Sequence, residues 1–187
     1  MSLKYAVIGT GAIGGYYGGR LANSGQEVHF LFHSDYEYVK QHGLRVDSVN
    51  GDFYLPVVNA YRTTADMPKC DVVLVCLKST NNYLLKDFLP PLLHKNTVVI
   101  LIQNGLGLEA DLHKNFPDLS IAGGLAFICS SKVGEGHIGH FDEGRLNLGS
   151  YSYADERILE QVCSDFIQAG VETQVLQLDK ARWMKLV

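Results

Sequence analysis

Three groups of residues have types and spacings that chemistry can use. In the first, Gly9-Thr10-Gly11-Ala12-Ile13-Gly14 follows the apolar run Tyr5–Ile8 and opens a stretch of helical character. A G-x-G-x-x-G turn between a strand and a helix has a mechanism. Gly9 permits the tight turn, Gly11 lets backbone N–H groups approach a pyrophosphate, and Gly14 lets the helix press on the strand. Phosphates then lie on the positive end of the helix, where free N–H groups point outward. Gly14, Gly15, Gly18 and Gly19 each cost roughly 1 kcal/mol relative to alanine inside a helix. A helix carrying all four needs close backbone approach along that face. The competing reading is a glycine-rich turn without a ligand; the strand before, the helix after and the next strand at the right distance stand against it.

The second group lies where a dinucleotide's adenosine ribose would fall. An NAD site ordinarily puts an acid there, about 20 residues past the glycines. Here that point is Phe32-His33-Ser34-Asp35. His33 and Ser34 can donate to a 2′-phosphate, whereas a carboxylate would repel it, and Asp35 is near enough to swing in. Lys78 adds positive charge directly after the third parallel strand, on the carboxyl edge where open α/β sheets bind ligands. The balance favours NADP over NAD. The plainer alternative makes His33 an ordinary strand-end residue.

The third group is Asn104, at the carboxyl end of another strand, with Lys180, Arg182 and Lys185 near the chain end. Alone, Asn-Gly is a common turn pair, and three basic residues on a short helix describe a solvated face. His137 and His140 with Asp142 and Glu143 could in principle hold zinc. They fall in a glycine-rich turn region, and no metal is expected. Ser130 and Ser131 lack a paired base, so nucleophilic catalysis finds no support.

The elements that must position these groups alternate. Tyr5–Ile8, Glu27–His33, Asp71–Leu77 and Thr97–Ile102 read as strands. The last two are almost wholly apolar, as strands covered on both faces are. Helices are expected over the glycine-rich stretch ending at Gly25, over Asp35–Gln41, Thr80–Leu89, Gly105–Phe116 and Asp155–Ala169, and from Asp179 to the chain end. Leu44–Ala60 reads as a hairpin turning at Asn50-Gly51. Ser120–Ser130, His137–Phe141 and Arg145–Leu148 read as strands joined by glycine turns, and Val171–Leu176 as a last strand. The pattern predicts an α/β fold, a doubly wound, mostly parallel Rossmann-type sheet with added antiparallel strands.

The 187 residues suit one domain, and 47% hydrophobic content suits one core. A net charge of −4 gives no basic field for nucleic acid. Cys70, Cys76, Cys129 and Cys163 have no C-x-x-C spacing, which suggests free thiols in a reducing compartment. No leader pattern or apolar run near eighteen residues is seen. A cytoplasmic protein without membrane or nucleic-acid partners is expected.

With these residues in view, the chain resembles the ketopantoate reductases along its whole length. The resemblance rests on the Gly9–Gly14 turn, Leu77-Lys78, Gln103-Asn104-Gly105, the glycine-punctuated hairpins from Gly136 to Gly149, and Trp183-Met184-Lys185-Leu186, in that order. It implies NADPH-dependent reduction of a small 2-oxo acid, ketopantoate first, on the route to coenzyme A. It implies that Gly9 to Gly14 hold the pyrophosphate and that Lys78 lies by the adenosine ribose phosphate. It further implies that Asn104 sits near the nicotinamide ribose and substrate, and that the backbone around Cys129 borders the nicotinamide. Lys185 becomes the catalytic lysine, the proton donor to the keto oxygen. His33 departs from the arginine many relatives carry, which weakens the NADP preference. Residues 1–176 would then form the dinucleotide-binding domain and 177–187 the start of a helix leading into a helical second domain that this chain lacks. The chain is expected to be a fragment of a longer reductase, a homodimer at full length. Alone it is expected to bind nucleotide weakly and not to turn over. Another 2-oxo acid, or a nucleotide-sensing module without chemistry, are the alternatives.

Overall fold

The computed structural model describes residues 2–152 and 156–186. In chain order, β1 (Lys4–Ile8), α1 (Ala12–Asn23), β2 (Glu27–Leu31) and α2 (Tyr36–His42) lead to three short strands, β3 (Leu44–Ser48), β4 (Phe53–Leu55) and β5 (Asn59–Tyr61). Next come β6 (Val72–Val75), α3 (Leu85–Phe88), β7 (Val98–Leu101) and α4 (Leu108–Asn115). Two long strands follow, β8 (Ser120–Gly134) and β9 (His137–Ser152), then α5 (Glu156–Gln168), β10 (Thr173–Val175) and α6 (Leu178–Leu186).

All ten strands join one sheet in the order β4-β3-β9-β8-β7-β6-β1-β2-β5, with β10 pairing on β9. β2 and β6 flank β1 in parallel, so the winding reverses beside β1. A crevice at the carboxyl ends of strands, at such a switch point, is where open α/β sheets take ligands. The strand pleat sends alternate residues to opposite faces and splits the core in two. Tyr5, Val7, Val72, Leu74, Val98 and Ile100 pack with Tyr17 and Leu21 of α1 and Leu159, Val162 and Phe166 of α5. Ala6, Ile8, Val73, Val75, Val99 and Leu101 pack on the other face with Leu85, Leu89 and Leu112. Covering on both faces explains why these parallel strands are continuous apolar runs.

Several expected boundaries shift for physical reasons. Leu44–Ala60 is not one hairpin: β3 and β4 pair antiparallel, whereas Asn59–Tyr61 leaves them and pairs parallel with β2. Thr80–Leu89 is a 3₁₀ segment, Ser79–Leu84, followed by a single α turn. Ser79, Thr80, Asn81 and Asn82 offer side chains that compete for backbone groups and disfavour α-helix there. The helix expected from Gly105 begins at Leu108, because Gly105 and Gly107 take φ of +145° and +75°. His137–Phe141 and Arg145–Leu148 are one strand interrupted at Glu143 and Gly144, both at positive φ, where the register against β8 slips. Asp155, Val187 and Met1 of the sequence reading lie outside the described residues.

Candidate active site

β1 delivers the chain to Gly9, whose φ of +94° suits glycine. A Cβ there would lie 2.8 Å from the Leu77 backbone nitrogen, so the turn is pressed against the chain leaving β6. A Cβ on Gly14 would stand 2.4 Å from the Gly9 carbonyl oxygen and 2.9 Å from Val7 Cγ1. Gly18 likewise abuts Val7 and Phe30, and Gly15 abuts Ile138 of β9. The glycine-rich helix face therefore meets the sheet itself. Gly11 differs, since a Cβ there would meet nothing within 4 Å. It caps α1 without a side-chain bond, and the first turn of α1 holds no acid. The Ala12 and Ile13 N–H groups have no intrahelical acceptor, so this end suits the pyrophosphate of a dinucleotide by its donors, its field and its open face. Thr10 Oγ1 donates to the Leu31 carbonyl at 3.0 Å and pins the turn to the end of β2.

His33 and Ser34 are exposed immediately past β2. Asp35 does not swing toward them. It is buried, with its carboxylate accepting from Ser34 Oγ at 2.7 Å and from the Gly136 N–H at 3.1 Å, and paired with the Lys132 ammonium. Burial alone would push this carboxyl up, but Lys132, Ser34 and the Gly136 amide together hold it below the usual carboxylate range. Lys132 also donates to Ser34 Oγ at 3.3 Å. The end of β2 therefore presents a hydroxyl, an imidazole and a nearby ammonium, and its one carboxylate is already engaged. Nothing local in the sequence marks Lys132, which lies far along the chain on β8.

A cleft of about 620 Å³ opens beside the turn and brings together Ile13, Lys78, Asn104 and Lys185. Lys78 is exposed at the end of the β6 segment. Gln103, just past β7, sends Nε2 to the Leu77 carbonyl at 2.7 Å and to Asn82 Oδ1 at 2.7 Å, and Asn82 Nδ2 returns a bond at 3.1 Å. This amide pair ties the loop bearing Lys78 to the loop bearing Asn104. Lys185 Nζ, from α6, donates to Asn104 Oδ1 at 2.9 Å and to the Ala126 carbonyl at 2.6 Å, and lies 5.4 Å from the centre of the Phe127 ring. An ammonium has three donors, which leaves one for a ligand in the cleft. Burial, and then the Arg182 guanidinium one helical turn away, hold the Lys185 amine below its ordinary value. A smaller pocket of about 240 Å³ shares Gln103, Asn104 and Lys185 and adds Leu106, Leu125 and Arg182.

The remaining sequence-predicted residues fall around this cleft. Gly9, Thr10, Gly11, Ala12 and Gly14 form the turn, and His33 and Ser34 stand at the end of β2. Cys129 is exposed, while β8 gives the cleft Ala126, Phe127 and Ile128 instead. His140 is buried, with Nδ1 2.8 Å from Ser48 Oγ and Nε2 3.0 Å from the Asp142 carbonyl; His137 pairs with Asp47 at 2.8 Å. The side chains of Trp183, Met184 and Leu186 lie outside the described residues. Among the described residues no helix is long and apolar enough to cross a membrane.

Comparison with known proteins gives the same direction. The family model for "Ketopantoate reductase PanE/ApbA" matches residues 5–153. A 2-dehydropantoate 2-reductase of Nostoc sp. is 49% identical over 190 residues, covering 98% of this chain and 60% of the relative. Among solved structures, 2-dehydropantoate 2-reductase from Geobacter metallireducens superposes with a TM-score of 0.93 at 41% identity, over 98% of this chain and 62% of that one. The enzyme from Methylococcus capsulatus does so with 0.89 at 36%, over 98% and 60%. The chain thus spans about 60% of the length of these relatives. With a family match over most of its residues, the chain belongs to the ketopantoate reductase (PanE/ApbA) family.

Proposed function

We propose that this chain is the cofactor-binding part of an NADPH-dependent 2-dehydropantoate 2-reductase, reducing ketopantoate to pantoate. In this reading the residues up to 176 form its dinucleotide-binding domain, and α6 (Leu178–Leu186) brings Lys185 to the cleft. The observation that carries this reading is the sharing of one cleft by Ile13 of the glycine turn and by Lys185, whose Nζ is bonded to Asn104. The turn's free N–H groups would hold the pyrophosphate, with His33, Ser34 and Lys78 toward the ribose phosphate. The absence of a free carboxylate at the end of β2, now that Asp35 is engaged, supports NADPH over NADH. Bound NADPH supplies the hydride. As hydride reaches the keto carbon, negative charge builds on its oxygen, and the Lys185 ammonium stabilises that charge and donates its proton from Nζ. Asn104 Oδ1 and the Ala126 carbonyl aim the ammonium by holding two of its three N–H donors.

The test is ketopantoate-dependent oxidation of NADPH by the gene product at the length of its relatives, in wild type and Lys185→Ala. Loss of a general acid costs about a hundred- to ten-thousandfold in rate. We expect kcat to fall by that much while NADPH still binds. Wild-type protein that binds NADPH but oxidises it with no 2-oxo acid would favour the sensing module and end the reductase reading.

A further inference from the structure

The α6 turn that carries Lys185 is fastened by residues outside the proposed chemistry. Arg182 Nη1 donates to the Gly105 carbonyl at 2.8 Å, and its other nitrogen pairs with Glu109 of α4. The Glu109 side chain is 3% exposed and that of Arg182 14%. Arg182 and Lys185 are three residues apart and so share a helix face. One helical turn thus grips both halves of the Asn104-Gly105 segment: Arg182 takes the Gly105 backbone, and Lys185 takes the Asn104 side chain. A buried ion pair commonly adds little net stability, because two charges must leave water.

We propose that Glu109 and Arg182 are positioning residues that hold α6 against the Asn104-Gly105 loop, so that Lys185 Nζ stays aimed into the cleft. The proposal rests on Lys185 being the proton donor. Charged groups facing Lys185 are Arg182 on its own helix and Lys78 across the cleft. Arg145 of β9 stacks at 4.5 Å on the same Phe127 ring that Lys185 approaches. Glu109 acts from α4 by holding the Arg182 side chain in place.

The experiment uses the gene product at the length of its relatives, with NADPH and ketopantoate. The double variant Glu109→Gln/Arg182→Met removes both charges of the pair together. It should lower kcat about ten- to hundredfold, the scale of a small misplacement of a reacting group. KM for NADPH should stay within about twofold of wild type, because the glycine turn is untouched. With the guanidinium gone, the alkaline limb of kcat should move up. Glu109→Gln alone leaves the guanidinium charge unopposed, so the limb should move down, and Arg182→Lys should restore part of kcat. A merely structural role would not move the limb in opposite directions. A double variant with full kcat beside an inactive Lys185→Ala overturns the positioning role alone. A Lys185→Ala enzyme with full kcat overturns the reading of the site and this role with it.

Discussion

A lysine becomes a useful acid when its surroundings lower its grip on the proton without removing it. Lys185 meets that condition: burial and Arg182 depress it, while Asn104 and the Ala126 carbonyl keep it hydrogen-bonded. Since only the ammonium can donate, kcat should decline as pH rises through its pKa. That decline should come below the ordinary lysine value of about 10.4; a rate profile flat to that pH would contradict it. Asp35 gives a second titration. Its folded pKa is depressed, so its contribution to stability is present above the unfolded value of about 3.9 and is lost as pH falls through the folded one. Lys132→Met removes the main donor and leaves burial opposed only by Ser34 and the Gly136 amide, so the carboxyl rises from its wild-type value. Acid unfolding of that variant, followed by circular dichroism, should begin at higher pH than in wild type; an unchanged midpoint would deny the pair its role. Gly9, Gly11 and Gly14 were legible from their own spacing, whereas Asn104 and Lys185 stood out only through the family resemblance, since alone they read as a turn pair and a solvated face. Lys132 and Glu109 were not singled out, and Arg182 read only as part of a solvated face, because the meaning of each is a partner far away in sequence.

At the scale of elements, the β1–α1 crossover depends on a contact that no side chain can share. Gly14→Ala puts a methyl group 2.4 Å from the Gly9 carbonyl, and overpacking of this kind costs about 1–3 kcal/mol, occasionally more. Urea unfolding should register at least that loss, with weaker nucleotide binding alongside; a stability equal to wild type would mean the crossover relaxes freely. Gln103 and Asn82 make a matching prediction for the loops. Gln103→Leu strands the partly buried Leu77 carbonyl and Asn82 amide, at less for each than the about 1–3 kcal/mol of a fully buried unpaired group. It should also raise KM for NADPH, because Lys78 loses its tie to the Asn104 loop. Unchanged stability and unchanged KM would argue against the tie. Apolar runs made β1, β6 and β7 readable from sequence alone. β5 escaped because a three-residue strand pairing in parallel with β2 leaves no local signal. The Glu143-Gly144 interruption looked like a turn because a bulge and a turn call on the same residues.

For the whole molecule, the sheet matters because it sets its switch point beside β1, and the carboxyl ends of β1, β6 and β7 bring the glycine turn, Lys78 and Asn104 to one cleft. β8 and α6 close it with Phe127 and Lys185. On this reading the cleft receives a nicotinamide dinucleotide along its length, from the α1 end to Lys185. Amide chemical-shift mapping of the 187-residue chain titrated with NADPH tests it most directly, because it reports even weak binding residue by residue. The largest shifts should fall at Gly11, Ala12, Ile13, Lys78, Asn104 and Ala126. Shifts gathered instead at the separate pocket between Asn82 and Phe116, with the glycine turn unmoved, would contradict it.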